Sequence, residues 1–477
     1  MSDWKIEKLS NLCIKIGSGS TPKGGQKVYL ESGNTSLIRS QNIHNFNFSP
    51  NGLVYISDEN ANKLKHVSVD KNDVFINITG DSVARVCMPN EKYLPARVNQ
   101  HVAILRPLSE ILNSEYLKYY LLQPQMQNYL LGLSTSGATR NALTKTMLEN
   151  IEIKFPNIEQ QQEISKILGS LDEKIQLNTQ INQTLEQIAQ TIFKSWFIDF
   201  DPVRAKADAL ANGATSEQAN LCAMQIISGK SEHALTQWQT THPTEYQQLY
   251  KLAEAFPREF ENVDGVEVPK GWAYASFGSL LEHTIGGDWG KEVADEKHTE
   301  KVAILRGTDL SDVYQGKDKN VPIRFVESKK LKSRKLKSGD IIIEVSGGSK
   351  NQPTGRSLFV TQNLINRFDI PLEPASFCRL LRPKDLKIGL ILGIHLQLIY
   401  ADGKTWEYQI QSTGISNFQT ALFLEKELVV LPSQKILDEF FKLVFPLFEN
   451  IHSCKNGMLE KLRDLLLPRL LSGEIEL

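Results

Sequence analysis

Residues 157–202 read NIEQQQEISKILGSLDEKIQLNTQINQTLEQIAQTIFKSWFIDFDP, and no other stretch restricts the fold as much. Apolar side chains recur at Ile164, Leu168, Leu171 and Ile175, then at Ile181, Leu185, Ile188 and Ile192. That three/four spacing puts them on one face of a helix. Pro156 ends what precedes it, Asn157 is a capping residue, and Gln160 stands at the capping-box position. At 1.5 Å per residue, roughly 40 helical residues run about 60 Å, too far for one domain to cover. Such a helix requires a partner along its length. Asn178 and Asn182 interrupt the stripe, as polar residues do where they fix register between paired helices.

The partner comes from an internal repeat. LIRSQNI (37–43) aligns with ILRGTDL (304–310), and DVFINITG (73–80) with DIIIEVSG (340–347), both at an offset of about 267. Downstream the offset is about 276: ILRP (104–107) meets LLRP (380–383), and NALTKTMLENIEIKFPN (141–157) meets NFQTALFLEKELVVLPS (417–433). TLEQIAQTIFKSW (184–196) then faces MLEKLRDLLLPRL (458–470), so residues 433–477 repeat the helix, with Leu459, Leu462 and Leu466 as its packing positions. Pro446 and Gly457 are expected to bend or break that copy. The chain is a tandem duplication: a block at 1–156, a helix at 157–204, a block at 268–432 and a helix at 433–477. Two separate helices, each packed on its own block, remain the alternative to a paired arrangement. Both blocks read as mixed α/β, with short β-rich runs between turn signals and one helical segment each, at 114–131 and 386–400. Residues 205–267 match nothing in the first half and read as a helical insertion and linker.

Catalytic signatures are missing. Gly229-Lys230-Ser231 has the tail of a phosphate-binding loop, but Met224 occupies the first glycine position. The glycine-rich run 286–291 fails because Glu292 follows the lysine. No GxGxxG after a strand, no HExxH and no His or Cys cluster is present. The five cysteines, Cys13, Cys87, Cys222, Cys378 and Cys454, are scattered, which fits a reducing compartment. No run approaches eighteen apolar residues and no apolar leader stands at the N-terminus, so a soluble, cytoplasmic protein is expected. Net charge is about +4 over 1–150, about +4 over 268–432 and about −6 over 199–267, which permits nucleic-acid binding by the blocks.

A binding protein without metal or catalytic residues is the reading that remains. Its candidate contacts are polar, glycine-containing loops at equivalent places in the two blocks. In the first they supply Ser18, Ser20, Lys23, Arg39, Gln41, Asn42, Thr79, Arg85, Asn99, Gln100 and Arg140. In the second they supply Arg306, Thr308, Ser346, Lys350, Asn351, Arg356, Arg379 and Ser416. Arg, Asn, Gln, Ser and Thr read base edges, and glycine lets backbone approach phosphate. For any one of these residues the plainer reading is a simple turn.

The order block, helix, KSWFIDFDPVRAK (194–206), insertion, VPKGW (268–272), block, helix, LPRLLSGEI (467–475) resembles the specificity subunit of type I restriction–modification systems. The segment PNIEQQQEI (156–164) belongs to the same likeness. The resemblance covers the chain except about 212–257. It implies an α+β fold of two target-recognition domains and two long helices forming an antiparallel coiled coil, a pseudo-two-fold tandem duplication. It implies double-stranded DNA as ligand, read as two unlike half-sites whose gap the helices set. Two modification subunits would carry S-adenosylmethionine and methylate adenine. Restriction subunits would carry ATP- and Mg²⁺-dependent translocation and cleavage. This chain would bind no cofactor. A coiled-coil scaffold and a self-sufficient nuclease or methylase of unfamiliar motif are the rival readings.

Overall fold

The computed structural model describes residues 4–135, 141–263, 265–348, 352–412, 415–475 and 477. The chain divides into two compact units, Met1–Gln176 with Met458–Leu477, and Leu177–Gly457.

In the first unit an antiparallel sheet runs Cys13–Ser18, Val102–Pro107, Val74–Asn77, Val86–Cys87. A second sheet runs Val54–Ile56, Thr35–Ile38, Ala96–Val98, its last pair parallel. Val74–Asn77 and Thr35–Ile38 are buried at every position, which explains why they read as unbroken β-rich runs rather than alternating ones. A ribbon of Lys5–Lys8 with Glu152–Phe155 ties the start of the block to the strand that leads into the long helix. The expected helical segment is two helices, Ser114–Leu122 and Pro124–Thr135, divided at the proline.

The second unit repeats this order. Its sheets are Leu281–Gly286, Cys378–Pro383, Ile341–Glu344, Ser357–Phe359 and Ile323–Glu327, His298–Leu305, Leu372–Pro374, with the ribbon Ala273–Ser276 and Leu428–Leu431. Val74 and Ile341 differ by 267 and Val102 and Cys378 by 276, so nine extra residues lie between the strands ending at 344 and starting at 372. A further sheet runs Ser346–Gly347, Ile415–Phe418, Gln409–Ser412, near the register where the first unit's described residues pair Thr79 with Ala142 as an isolated bridge. The expected helix is Leu386–Ala401, capped by Asp385, whose carboxylate accepts from Lys387 and Ile388 N–H at 2.8 and 2.9 Å.

An ion pair is duplicated with the strands. Arg106 Nε and Nη2 donate to Asp73 at 2.7 and 2.9 Å and Nη2 also to Ser68 O at 3.0 Å. Arg382 donates to Asp340 at 2.8 and 2.7 Å and to Lys335 O at 3.0 Å. Each aspartate also accepts a backbone N–H three residues before it, from Asp70 and from Lys337, both at 2.7 Å. The bidentate geometry holds both guanidinium groups firmly charged.

The central helix spans Ile158–Phe197, ending before the expected Arg204. Within the first unit, Ile164 and Leu168 share a core with Leu467, Leu470 and Leu471 of the C-terminal helix Asn456–Ser472. Asp172 accepts from Tyr119 Oη at 2.6 Å and from Arg463 Nη1 at 2.8 Å. Within the second unit, Ala189, Phe193, Trp196 and Phe197 share a core with Phe440 and Val444 of the helix Gln434–His452. In each unit rising numbers on the central helix meet falling numbers on its partner, so both pairings are antiparallel.

The uniform apolar stripe needs correcting. Leu171, Ile175, Leu185 and Ile192 are only half-buried, and Ile181 and Ile188 are 45% and 43% exposed. The buried face there runs through Asn182, Ala189, Phe193 and Trp196 instead. The cause lies in the returning chain, which breaks at residues 453–455. Asn182 Nδ2 donates to Ile451 O at 3.4 Å, a carbonyl in the last turn of the helix that also accepts from Cys454 N–H, and Asn178 Nδ2 to Asn456 Oδ1 at 3.0 Å. Pro446 does not break the helix; it sits inside Gln434–His452 on the exposed side. Gly457 is the second residue of the last helix, where a Cβ would come within 2.9 Å of Gly316 O. In that helix Leu462 is 44% exposed and Leu459 and Leu466 are half-buried, while Arg463, Leu467, Leu470 and Leu471 face inward.

Trp196, Phe197 and Phe200 of the SWFIDF segment build a junction. Trp196 meets Phe256 at 5.1 Å, Phe197 meets Phe440 at 4.8 Å, and Phe197 and Phe200 meet Trp272 of VPKGW at 5.8 and 6.0 Å. Phe200 adopts left-handed backbone (φ 56) to turn the chain. The insertion is four helices, Asp201–Ala211, Ser216–Ser228, Glu232–Thr241 and Pro243–Ala255, around Ala223, Met224, Leu235, Tyr246 and Ala253. The Lys206 ammonium donates to Ala253 O at 2.9 Å and Phe256 O at 2.7 Å, closing the last of these, and burial pulls it down to about 8.

Candidate nucleic-acid interface

In the first block four loops converge at one end of the sheets. Gly19 is forced by backbone: a Cβ there would lie 2.1 Å from Val98 O and 2.3 Å from Asn99 O. Its N–H donates to Val102 O at 2.8 Å and that of Ser20 to Val98 O at 2.9 Å, seating the 17–23 loop on residues 98–102. Thr21 Oγ1 donates to Gln100 Oε1. His101 Nδ1 and Thr79 Oγ1 are hydrogen-bonded at 2.6 Å, joining the 79–85 loop to the same place. Asn77 Nδ2 donates to Ser40 O at 2.9 Å and Ser82 Oγ at 3.0 Å, which brings in residues 39–42.

The second block repeats this seat with different side chains. A Cβ on Gly287 would lie 2.2 Å from both Pro374 O and Ala375 O. Gly287 N–H donates to Cys378 O and Asp288 N–H to Pro374 O, both at 3.0 Å. By the same register Thr21 becomes Trp289, His101 becomes Phe377 and Asn77 becomes Glu344. The loops enclose a cleft of about 750 Å³ lined by Trp289, Arg306, Thr308, Glu344, Ser346, Arg356 and Phe377 among others. Trp289 is 38% and Phe377 64% exposed. Arg356 Nε donates to the buried Glu344 Oε2 at 2.8 Å, which keeps the guanidinium charged. Beside the Trp289 loop, Glu373 is fully buried with neither oxygen hydrogen-bonded among the described residues. Burial, and then the Asp288 charge, lift it to about 7 against Arg334 and Lys330.

The sequence-derived residues divide by exposure. Ser18, Lys23, Gln41, Gln100 and Thr308 are exposed, and Ser20, Arg39, Thr79, Arg85, Arg379, Ser346 and Arg356 are half-buried at the loop ends. Asn42 and Asn99 are buried and occupied within the fold. Asn42 accepts from Arg39 N–H at 3.0 Å and donates to Ser49 O at 2.9 Å, and Asn99 Oδ1 accepts from His101 N–H at 3.1 Å. Arg306 is half-buried and clamped by Asp309 at 2.8 and 2.7 Å, the counterpart of the Arg39–Asn42 staple. Arg39 donates to Gly52 O and lies 5.4 Å from the Tyr29 ring, and Gln41 reaches the same carbonyl at 3.1 Å. Ser346 Oγ donates to Asn417 Oδ1 at 2.9 Å, and Ser416 is buried. Arg140, Lys350 and Asn351 lie outside the described residues. Sequence reasoning missed Trp289 and Phe377; the aromatics standing where the first copy has Thr21 and His101 were the available signal.

Among the described residues, no group of three His, Cys, Asp or Glu side chains is placed to hold a metal ion, and no helix is long and apolar enough to cross a membrane. The arrangement is one for binding: polar groups and glycines at loop ends on a rigid sheet scaffold, built twice.

A model described as the type I restriction modification DNA specificity domain matches residues 1–187. The chain is 33% identical over 484 residues to the specificity subunit of the type I restriction enzyme HindI of Haemophilus influenzae, covering all of both chains. It is 24% identical to the MjaIX specificity subunit of Methanocaldococcus jannaschii, over 99% of this chain and 94% of that one. The crystal structure of a type I restriction–modification S subunit from M. genitalium superposes with a TM-score of 0.54 at 14% identity, over 98% of this chain and 96% of that one, which shows a common fold. Full-length identity, the matched specificity domain and the doubled loop scaffold agree: the chain belongs to the family of type I restriction–modification specificity subunits, the non-catalytic members of those systems.

Proposed function

We propose that the two blocks are target-recognition domains, each reading one half of a bipartite, asymmetric DNA sequence, with the central helix setting the unread gap. The observation that carries this reading is one loop scaffold built twice with unlike side chains. Thr21, His101 and Asn77 in one copy stand where Trp289, Phe377 and Glu344 stand in the other. Equal scaffolds give equal docking, and unlike contact groups give unlike half-sites. The exposed groups Ser18, Lys23, Gln41 and Gln100, and Thr308 with the cleft residues, are the proposed contacts. Two modification subunits, holding S-adenosylmethionine, and restriction subunits, using ATP and Mg²⁺, supply the chemistry; this chain holds none of these cofactors. In the reconstituted complex with modification subunits, DNA carrying one bipartite sequence is bound and methylated in preference to all other DNA. Equal binding of every sequence overturns the reading.

Partner docking has its own support in Leu177, Ile181 and Ile188, apolar residues 43–49% exposed on the central helix at spacings of four and seven. Buried against a neighbouring helix, such a stripe favours association. Ile181→Glu with Ile188→Glu should leave the melting temperature of this chain within a few degrees and reduce co-purification of modification subunits at least about tenfold. Undiminished co-purification contradicts docking on this face.

A further inference from the structure

The second block carries a basic run that the first does not share. Residues 329–337, KKLKSRKLK, hold six Lys or Arg and no acid, whereas residues 62–70 at the same register, NKLKHVSVD, hold two Lys and one Asp. The fold sorts the six. Arg334 Nε donates to Gly286 O at 2.9 Å and Lys330 Nζ pairs with Asp288 at 3.1 Å, fixing the helix Ser328–Arg334 to the loop that presents Trp289. Leu336 is buried, and the backbone is pinned where Arg382 donates to Lys335 O and Asp340 accepts from Lys337 N–H. Lys329, Lys332, Lys335 and Lys337 remain exposed, with no acidic partner among the described residues.

Four uncompensated ammonium groups on a pinned backbone repel one another, and a polyanion laid across them relieves that repulsion. The segment that carries them is tied to the Trp289 loop of the cleft through Lys330 and Arg334, so a duplex read by this block would pass close to it. We propose that Lys329, Lys332, Lys335 and Lys337 grip the phosphate backbone of the half-site read by the second block, making the hold on DNA asymmetric. The inference rests on the recognition reading above. Phosphate contacts set affinity and register and carry no sequence information, so the grip strengthens binding without altering the motif.

The test is the quadruple variant K329Q/K332Q/K335Q/K337Q in complex with modification subunits, titrated with its methylation-motif duplex across salt concentrations. Each phosphate contact contributes about 0.9 to the slope of log affinity against log salt. The slope should become shallower by about 2–4, with the methylated motif unchanged, and K63Q/K65Q in the first block should change it far less. An unchanged slope in a normally assembled complex overturns the grip while leaving sequence recognition standing. Loss of assembly with an unchanged slope also overturns it, showing that the lysines face an acidic protein surface. A wild-type complex with no sequence preference overturns the recognition reading and this inference together.

Discussion

Asp73→Ala and Asp340→Ala should each lower the stability of the unit that contains them by about 3–5 kcal/mol, the range for leaving one member of a buried ion pair alone. The carboxylates of Asp73 and Asp340 are 0% and 3% exposed, and each accepts two guanidinium bonds and one backbone N–H. Removal leaves Arg382 with an uncompensated charge against the sheet, whereas Arg106 keeps a second, more exposed partner, Asp70, at 2.6 Å from Nη1. The losses should be confined to separate units, with that at Asp73 the smaller and at the lower end of the range because Asp70 remains beside Arg106. Two-step thermal unfolding, with only one step displaced in each variant, is the measurement; an effect below about 1 kcal/mol at either site contradicts the account.

Trp196→Ala should cost about 3–5 kcal/mol in the second unit, the usual range for truncating a buried tryptophan. Trp196 is 2% exposed and has Phe197, Phe256 and Phe440 within 5.1–6.2 Å. Its removal opens a cavity where the central helix, the end of the insertion and the returning helix meet, so the unfolding midpoint should fall without change in the loop residues. Ile198→Ala, at a 46% exposed position two residues away, should change stability by no more than about 0.5 kcal/mol. Chemical denaturation of both variants separates the cases.

Much of the architecture was legible because strands preserve register. The run VFINIT and its counterpart IIIEVS kept one offset, and LEKELVVLPS, like IEIKFPN, ended in a proline followed by a residue of capping type, Ser433 for Asn157. In the first pair both faces of the strands are buried, so both sets of side chains stay apolar-rich. The middle of the helix was misread for a tertiary reason. Ile181 and Ile188 obey helical spacing, but the returning chain breaks at 453–455, and the inward face there follows Asn178 and Asn182. Asn42 and Asn99 show a limit of loop chemistry: an amide that can read a base can equally cap its own turn. Trp289 and Phe377 were not singled out from the sequence, and it is the repeated seat of Gly19 and Gly287 that makes them the counterparts of Thr21 and His101.

The central claim is that each block reads its own half-site. It is tested most directly by replacing residues 268–432 with the corresponding block of the Haemophilus influenzae relative and mapping methylated adenines genome-wide by single-molecule sequencing in cells that supply the modification subunits. The account predicts a bipartite motif in which one half changes and the other half and the gap length persist. A motif altered in both halves, or in neither, would contradict it.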